Sequence, residues 1–148
     1  GACLHHVANT RAAHEARTGH ASIAAEEAKM TLGDKQRLFA KLMGEFLVWC
    51  YANDYEVRFD EAYRTLEQAA LNVKKGSGIA NSLHTKHLAI DLPLYLDSSL
   101  EADEDVYQKD SEAYRPLGEK WESMHALCCW GGRFGDGNHF SLTHEGIR

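Results

Sequence analysis

A chain of 148 residues, 44% hydrophobic and 26% charged, has the size and balance of one globular domain with its own core, which excludes a disordered polypeptide. Its formal net charge of −6 argues against the basic face that nucleic acid or an anionic membrane surface demands. No apolar run approaches the roughly 20 residues of a membrane span, and no basic stretch followed by an apolar block opens the sequence, so cytoplasmic synthesis without membrane insertion is expected.

Residues 1–29 differ in character from the rest of the chain: they are rich in Ala and His, and Met30 then opens a segment resembling a natural start. The expectation is a leader or N-terminal extension over 1–29, weakly structured or partly helical, and a single folded domain over 30–148. His5, His6, His14 and His20 are expected to be solvated tail histidines.

From Asp34 the pattern turns helical. Leu38, Leu42, Phe46 and Trp49 recur at three- and four-residue steps, with Phe39, Met43 and Cys50 widening the stripe, and predict a core-facing helix ending near Asn53. Tyr55–Phe59 alternates apolar and charged residues as a short strand does. Thr65-x-x-Gln68 is a capping-box pattern that opens a second helix, closed by Gly76 and Gly78. Residues 87–96 are strand-like, with Leu88, Ile90 and Leu92 on one face, Ala89 and Asp91 on the other, and Pro93 marking an edge or an end of pairing. Residues 97–112 are acidic and turn-rich, a surface loop. Pro116 begins a third helix with Leu117, Trp121, Met124 and Leu127 on one face, and a Gly-rich turn leads to a last strand, His139–Leu142. Three helices and short strands without a βαβ rhythm predict an α+β fold.

The four cysteines form no C-x-x-C pair and no disulfide framework, so neither a thiolate metal site nor a redox motif is expected. Two other clusters carry chemistry. His84 stands where a loop enters the second predicted strand, and Asp91 projects from that strand seven residues later. An Asp among Leu, Ile and Ala is costly to bury without a cation or strong donor; taken alone, the pair reads equally well as an Asp–Arg contact beside a surface His. Asp136-Gly137-Asn138-His139 adds a carboxylate and an imidazole at the mouth of the last strand. Two His nitrogens and one carboxylate oxygen leave a fourth tetrahedral position open, as in catalytic rather than structural zinc sites. Asp136 is then placed to act as base.

Ser82-x-His84-x-x-x-x-Ala89-x-Asp91 followed by Asp136-x-x-His139-Phe140 resembles the zinc D-alanyl-D-alanine carboxypeptidase and phage L-alanyl-D-glutamate endopeptidase (endolysin) family. Tyr63-Arg64-Thr65, with Gln68 downstream, is similar to that family's arginine motif, and Trp130-Gly131-Gly132 to a tract of its phage members. The likeness runs in order from about Asp34 to the C-terminus. It implies a small antiparallel sheet carrying one zinc ion, hedgehog/D-Ala-D-Ala-peptidase-like, with His84, Asp91 and His139 as ligands and Asp136 as base. It implies that Arg64 binds substrate or steadies an oxyanion, against the simpler alternative of a salt bridge to Glu61 or Glu67. Ser82 and Gln68 are candidates for substrate contact, with turn chemistry and helix capping as their alternatives. Two departures are present: His87 stands where the family often has Gly, and Asn138 where it often has Pro. The resemblance further implies a monomer acting on peptidoglycan stem peptides, reaching the wall through a holin. D-Ala-D-Ala trimming and a non-catalytic zinc module are the competing expectations.

Overall fold

The computed structural model describes residues 23–96 and 107–148; the histidines at 5, 6, 14 and 20 and residues 97–106 of the expected acidic loop lie outside them. A helix covers residues 23–28 (α1). Leu32–Ala52 forms the long helix α2, opened by a capping box in which Thr31 Oγ1 accepts from Asp34 N–H and Asp34 accepts from Thr31 N–H. Phe39, Leu42, Met43, Phe46 and Cys50 are its buried apolar face, while Leu38 and Trp49 pack at its margin. Lys35 is buried as well, its ammonium 3.0 Å from His144 Nδ1 and 3.3 Å from Glu27 Oε1. Glu27 also accepts from the backbone N–H of Glu145. One carboxylate thus ties α1 to both the long helix and the C-terminal turn.

Two antiparallel sheets come next. Glu56–Val57 (β1) pairs with Leu94–Tyr95 (β3), and Ala89–Asp91 (β2), Cys128–Trp130 (β4) and His139–Leu142 (β5) form a three-stranded sheet in the order β2-β5-β4. Helix α3, Leu66–Lys74, is capped by Thr65, and α4, Arg115–Met124, carries Pro116 in its first turn, where its missing N–H costs nothing. Trp121 of α4 meets Phe46 of α2 edge-on at 5.4 Å, and Phe46 meets Phe140 of β5 at 5.1 Å. The Trp121 indole N–H donates to Ser141 O at 3.0 Å, so its single polar group is satisfied inside the core. Helices α2 and α4 thereby hold β5 from behind, leaving its N-terminal end at the surface. The fold is α+β, with small antiparallel sheets packed against helices.

The strand expected over 87–96 is broken in two. Pro93 has no N–H for a continuous ladder, and the chain changes partner there, from β5 before it to β1 after it. The strand expected over 55–59 is only two residues long, and Phe59 is exposed. β4 was not anticipated: Cys128, Cys129 and Trp130 are all buried, so the segment shows no alternation. The acidic segment closes in a 3-10 turn, Ser111–Tyr114, and the buried Tyr114 hydroxyl accepts from Leu94 N–H and donates to Gln108 O.

Candidate active site

Strand register sets the first two groups of the site. Asp91, the last residue of β2, lies directly opposite His139, the first residue of β5, so their side chains leave the same face of the sheet side by side. Asp91 Oδ1 lies 3.2 Å from His139 Nδ1. The third group arrives on a 3-10 turn, Leu83–Lys86. Ser82 caps that turn, its hydroxyl accepting from His84 N–H at 3.3 Å, and its carbonyl accepts from the Thr85 hydroxyl at 2.6 Å. His84 is thereby buried with Nε2 3.4 Å from the same Asp91 oxygen. The His84 and His139 rings meet edge-on, 5.1 Å apart.

One atom from each of His84, Asp91 and His139 lies within 4.8 Å of the others, and together the three can hold a metal ion. The donor set fits zinc: two imidazole nitrogens and one carboxylate oxygen, with room for one more ligand. Among the described residues cysteine does not compete. Burial pushes the Cys50 and Cys128 thiols up to about 12 and Cys129 upward, so all three stay protonated at neutral pH.

Asp136 lies beside this trio, with Oδ2 4.0 Å from His139 Nδ1 and a largely exposed side chain. Its position is fixed by the turn of Gly131–Phe134: Asp136 N–H donates to Gly131 O at 3.0 Å, and Asp136 O accepts from His139 N–H at 3.2 Å. Gly131 is required there, because a Cβ at that position would stand 2.5 Å from Asp136 O and 2.7 Å from His139 Cβ. The two carboxyls titrate in opposite directions. Partial desolvation at the cleft raises the Asp136 carboxyl above its ordinary range although much of its side chain stays exposed, with His139 opposing and the Asp91 charge reinforcing the rise. Burial also works against ionisation of Asp91, but hydrogen bonds and charge from His139 and His84 outweigh it and bring that carboxyl down to about 2. Asp91 is the permanent anion of the site.

A cleft of about 320 Å³ opens over these residues. Arg64, Ser82, His84, Asp91, Asp136 and His139 all line it. Arg64 also pairs with Glu61 through Nη2, the salt bridge expected as its simpler role, while its side chain lines the cleft. Gln68 lies apart: its N–H donates to the Thr65 cap at 3.1 Å, while its side-chain amide donates to Asn72 on the exposed face of α3 and is absent from the cleft lining. His87 ends the 3-10 turn with φ 56°, and its exposed ring stacks on Tyr63 at 4.1 Å instead of joining the metal group. His125 Nδ1 accepts from Leu127 N–H, and His144 faces Lys35. Sequence reasoning passed over Ile79, Phe134 and Arg148, which complete the cleft wall. None of them belongs to a spaced motif that could have marked it.

No family model matches the chain, and no curated protein does. Among solved structures, the L-Ala D-Glu endopeptidase ChiX of Serratia marcescens is similar at 22% identity, over 60% of this chain and 66% of that one, with a TM-score of 0.42. A likeness of that degree bears on neither activity nor substrate.

Proposed function

We propose that the chain is a zinc metallopeptidase that hydrolyses peptidoglycan stem peptides, cutting between L-Ala and D-Glu as phage endolysins of the family it resembles do. The observation that carries this reading is the convergence of His84 Nε2, Asp91 Oδ1 and His139 Nδ1 at the floor of a cleft that also presents Asp136 and Arg64. Two arginines, Arg64 and Arg148, line that cleft and suit a substrate rich in carboxylates. The substrate class itself rests on the ordered motifs around Arg64, His84, Asp91 and His139.

In this mechanism His84, Asp91 and His139 hold the ion, which supplies Lewis acidity when bound. Asp136 takes the proton of the attacking water and returns it to the departing amine. Its side chain lines the same cleft and stays largely exposed, so it can exchange a proton with water there. Arg64 offers charge-assisted donors to the oxygen that becomes negative in the tetrahedral intermediate, and Glu61 keeps its guanidinium from swinging into solvent. Ser82 keeps the His84 turn in shape.

The retained Asp136 favours an enzyme over a zinc-binding module, which needs no base there. Release by a holin would bring an enzyme made in the cytoplasm to its substrate; no helix among the described residues is long and apolar enough to cross a membrane. Incubation of the zinc-loaded protein with purified peptidoglycan, followed by analysis of the new amino termini, tests the proposal. New D-Glu termini are expected. Free D-Ala would point to a D,D-carboxypeptidase, and no new product would end the hydrolase reading.

A further inference from the structure

Glu61 belongs to none of the motifs, yet its carboxylate stands between the metal group and the arginine. Its Oε1 is buried and lies 3.7 Å from His84 Nδ1, the imidazole nitrogen that faces away from Asp91. That nitrogen is buried too, and no hydrogen bond satisfies it; the same holds for Arg64 Nε. On its other side the same oxygen pairs with Arg64 Nη2. The backbone brings these groups together: Asp91 N–H donates to Glu61 O at 2.9 Å, and Arg64 N–H donates to His84 O at 3.2 Å. Residues 61–64 are therefore fastened to both ligand-bearing segments.

We infer that Glu61 is a positioning residue that selects the tautomer of His84, holding the proton on Nδ1 so that the Nε2 lone pair is free for the metal, while the same carboxylate fixes Arg64 at the cleft. A neutral imidazole has one N–H and one lone pair, and the acceptor beside one nitrogen dictates which nitrogen can bind a cation. A carboxylate behind a ligand histidine does this in metal sites generally. The 3.7 Å separation is about 0.5 Å beyond a hydrogen bond, and no other acceptor satisfies that nitrogen. Glu61 thus couples two parts of the site: the ligand and the arginine share one oxygen. The inference rests on the metallopeptidase reading, because a bound metal is what gives the tautomer a consequence.

The test measures zinc affinity by competition with a chromophoric chelator in the wild type and in Glu61→Ala, Glu61→Gln and Arg64→Ala, together with the imidazole ¹⁵N shifts of His84 in the metal-free wild type. The expected results are an Nδ1–H tautomer for His84, zinc binding weakened about 10- to 100-fold in Glu61→Ala, and partial recovery in Glu61→Gln, whose amide oxygen can still accept. Arg64→Ala leaves the acceptor in place and should bind zinc within a few-fold of wild type. An Nε2–H tautomer, or a folded Glu61→Ala with wild-type zinc affinity, would overturn the inference. The ¹⁵N measurement stands even if Glu61→Ala does not fold. Failure of the parent reading looks different: His84→Ala would then bind zinc no more weakly than the wild type.

Discussion

Replacing Gly131 by alanine probes how tightly the turn before β5 holds the site. Ordinary van der Waals contact begins near 3.4 Å, whereas the new Cβ would stand 2.5 Å from Asp136 O and 2.7 Å from His139 Cβ, so these must retreat by about 0.9 Å and 0.7 Å. Neither is the free end of a flexible side chain: one is backbone, and the other is the root of His139, which opens a strand. Metal–ligand distances tolerate deviations of only about 0.2 Å, so zinc affinity should fall at least tenfold. Displacing Asp136 at the same time should cost about 100-fold in turnover. Overpacking of this kind destabilises by about 1–3 kcal/mol, or roughly 3–9 °C in melting temperature for a chain of this length. Calorimetric zinc titration and thermal melts of the variant read both effects. Wild-type zinc affinity in Gly131→Ala would refute the claim that this turn positions His139.

Gly44→Ala is the opposite case: the position is exposed in the middle of α2 with nothing within 4 Å of the added Cβ, so a stabilisation of about 0.8–1 kcal/mol is expected in a thermal melt. Phe46→Ala removes a fully buried ring that touches both Trp121 and Phe140 and should cost about 3–5 kcal/mol in urea denaturation. Acid should weaken the junction of α1, α2 and the C-terminal turn in two stages. Burial and the Lys35 charge hold His144 below its ordinary value of 6.5, so its contribution is complete above pH 6.5 and is lost as pH falls through the lowered folded value. Burial tends to raise the Glu27 carboxyl, but the Glu145 N–H and Lys35 outweigh it and hold it below 4.5; its contribution is complete above pH 4.5 and is lost below. Glu27→Ala should lower stability at pH 7 by about 1–3 kcal/mol and flatten the lower stage of the melting profile; an unchanged pH profile would contradict that assignment. Asp136→Asn should retain zinc and lose about 10²- to 10⁴-fold in peptide hydrolysis, measured as release of amino groups from peptidoglycan.

Much of this was legible because the signals were local. Helix α2 announces itself through the apolar period from Leu38 to Cys50 inside its 21 residues, and β5 through Phe140 and Leu142 after the Gly-rich turn. The grouping of His84, Asp91 and His139 was expected from the ordered motifs that resemble the peptidase family, together with the coordination chemistry of two imidazoles and a carboxylate. The strand register that sets Asp91 opposite His139 is a tertiary fact. What was hidden has physical reasons too. Strand β4 is buried on both faces and shows no alternation. Lys35 looks like any solvated helix lysine until Glu27 and His144 come to meet it. Glu61 lies in an irregular segment, and only its backbone bond to Asp91 brings its carboxylate behind His84. Gln68 fitted a motif, but its side chain turned along the helix to Asn72.

The central claim is that one ion held by His84, Asp91 and His139 makes the cleft a peptidase. The direct measurement strips the protein with a chelator and follows peptidoglycan hydrolysis as zinc is added back. Activity should rise with added zinc and level off at one equivalent per chain, with no recovery in His139→Ala. Hydrolysis that persists after stripping, or that never returns with zinc in a folded protein, would contradict the account.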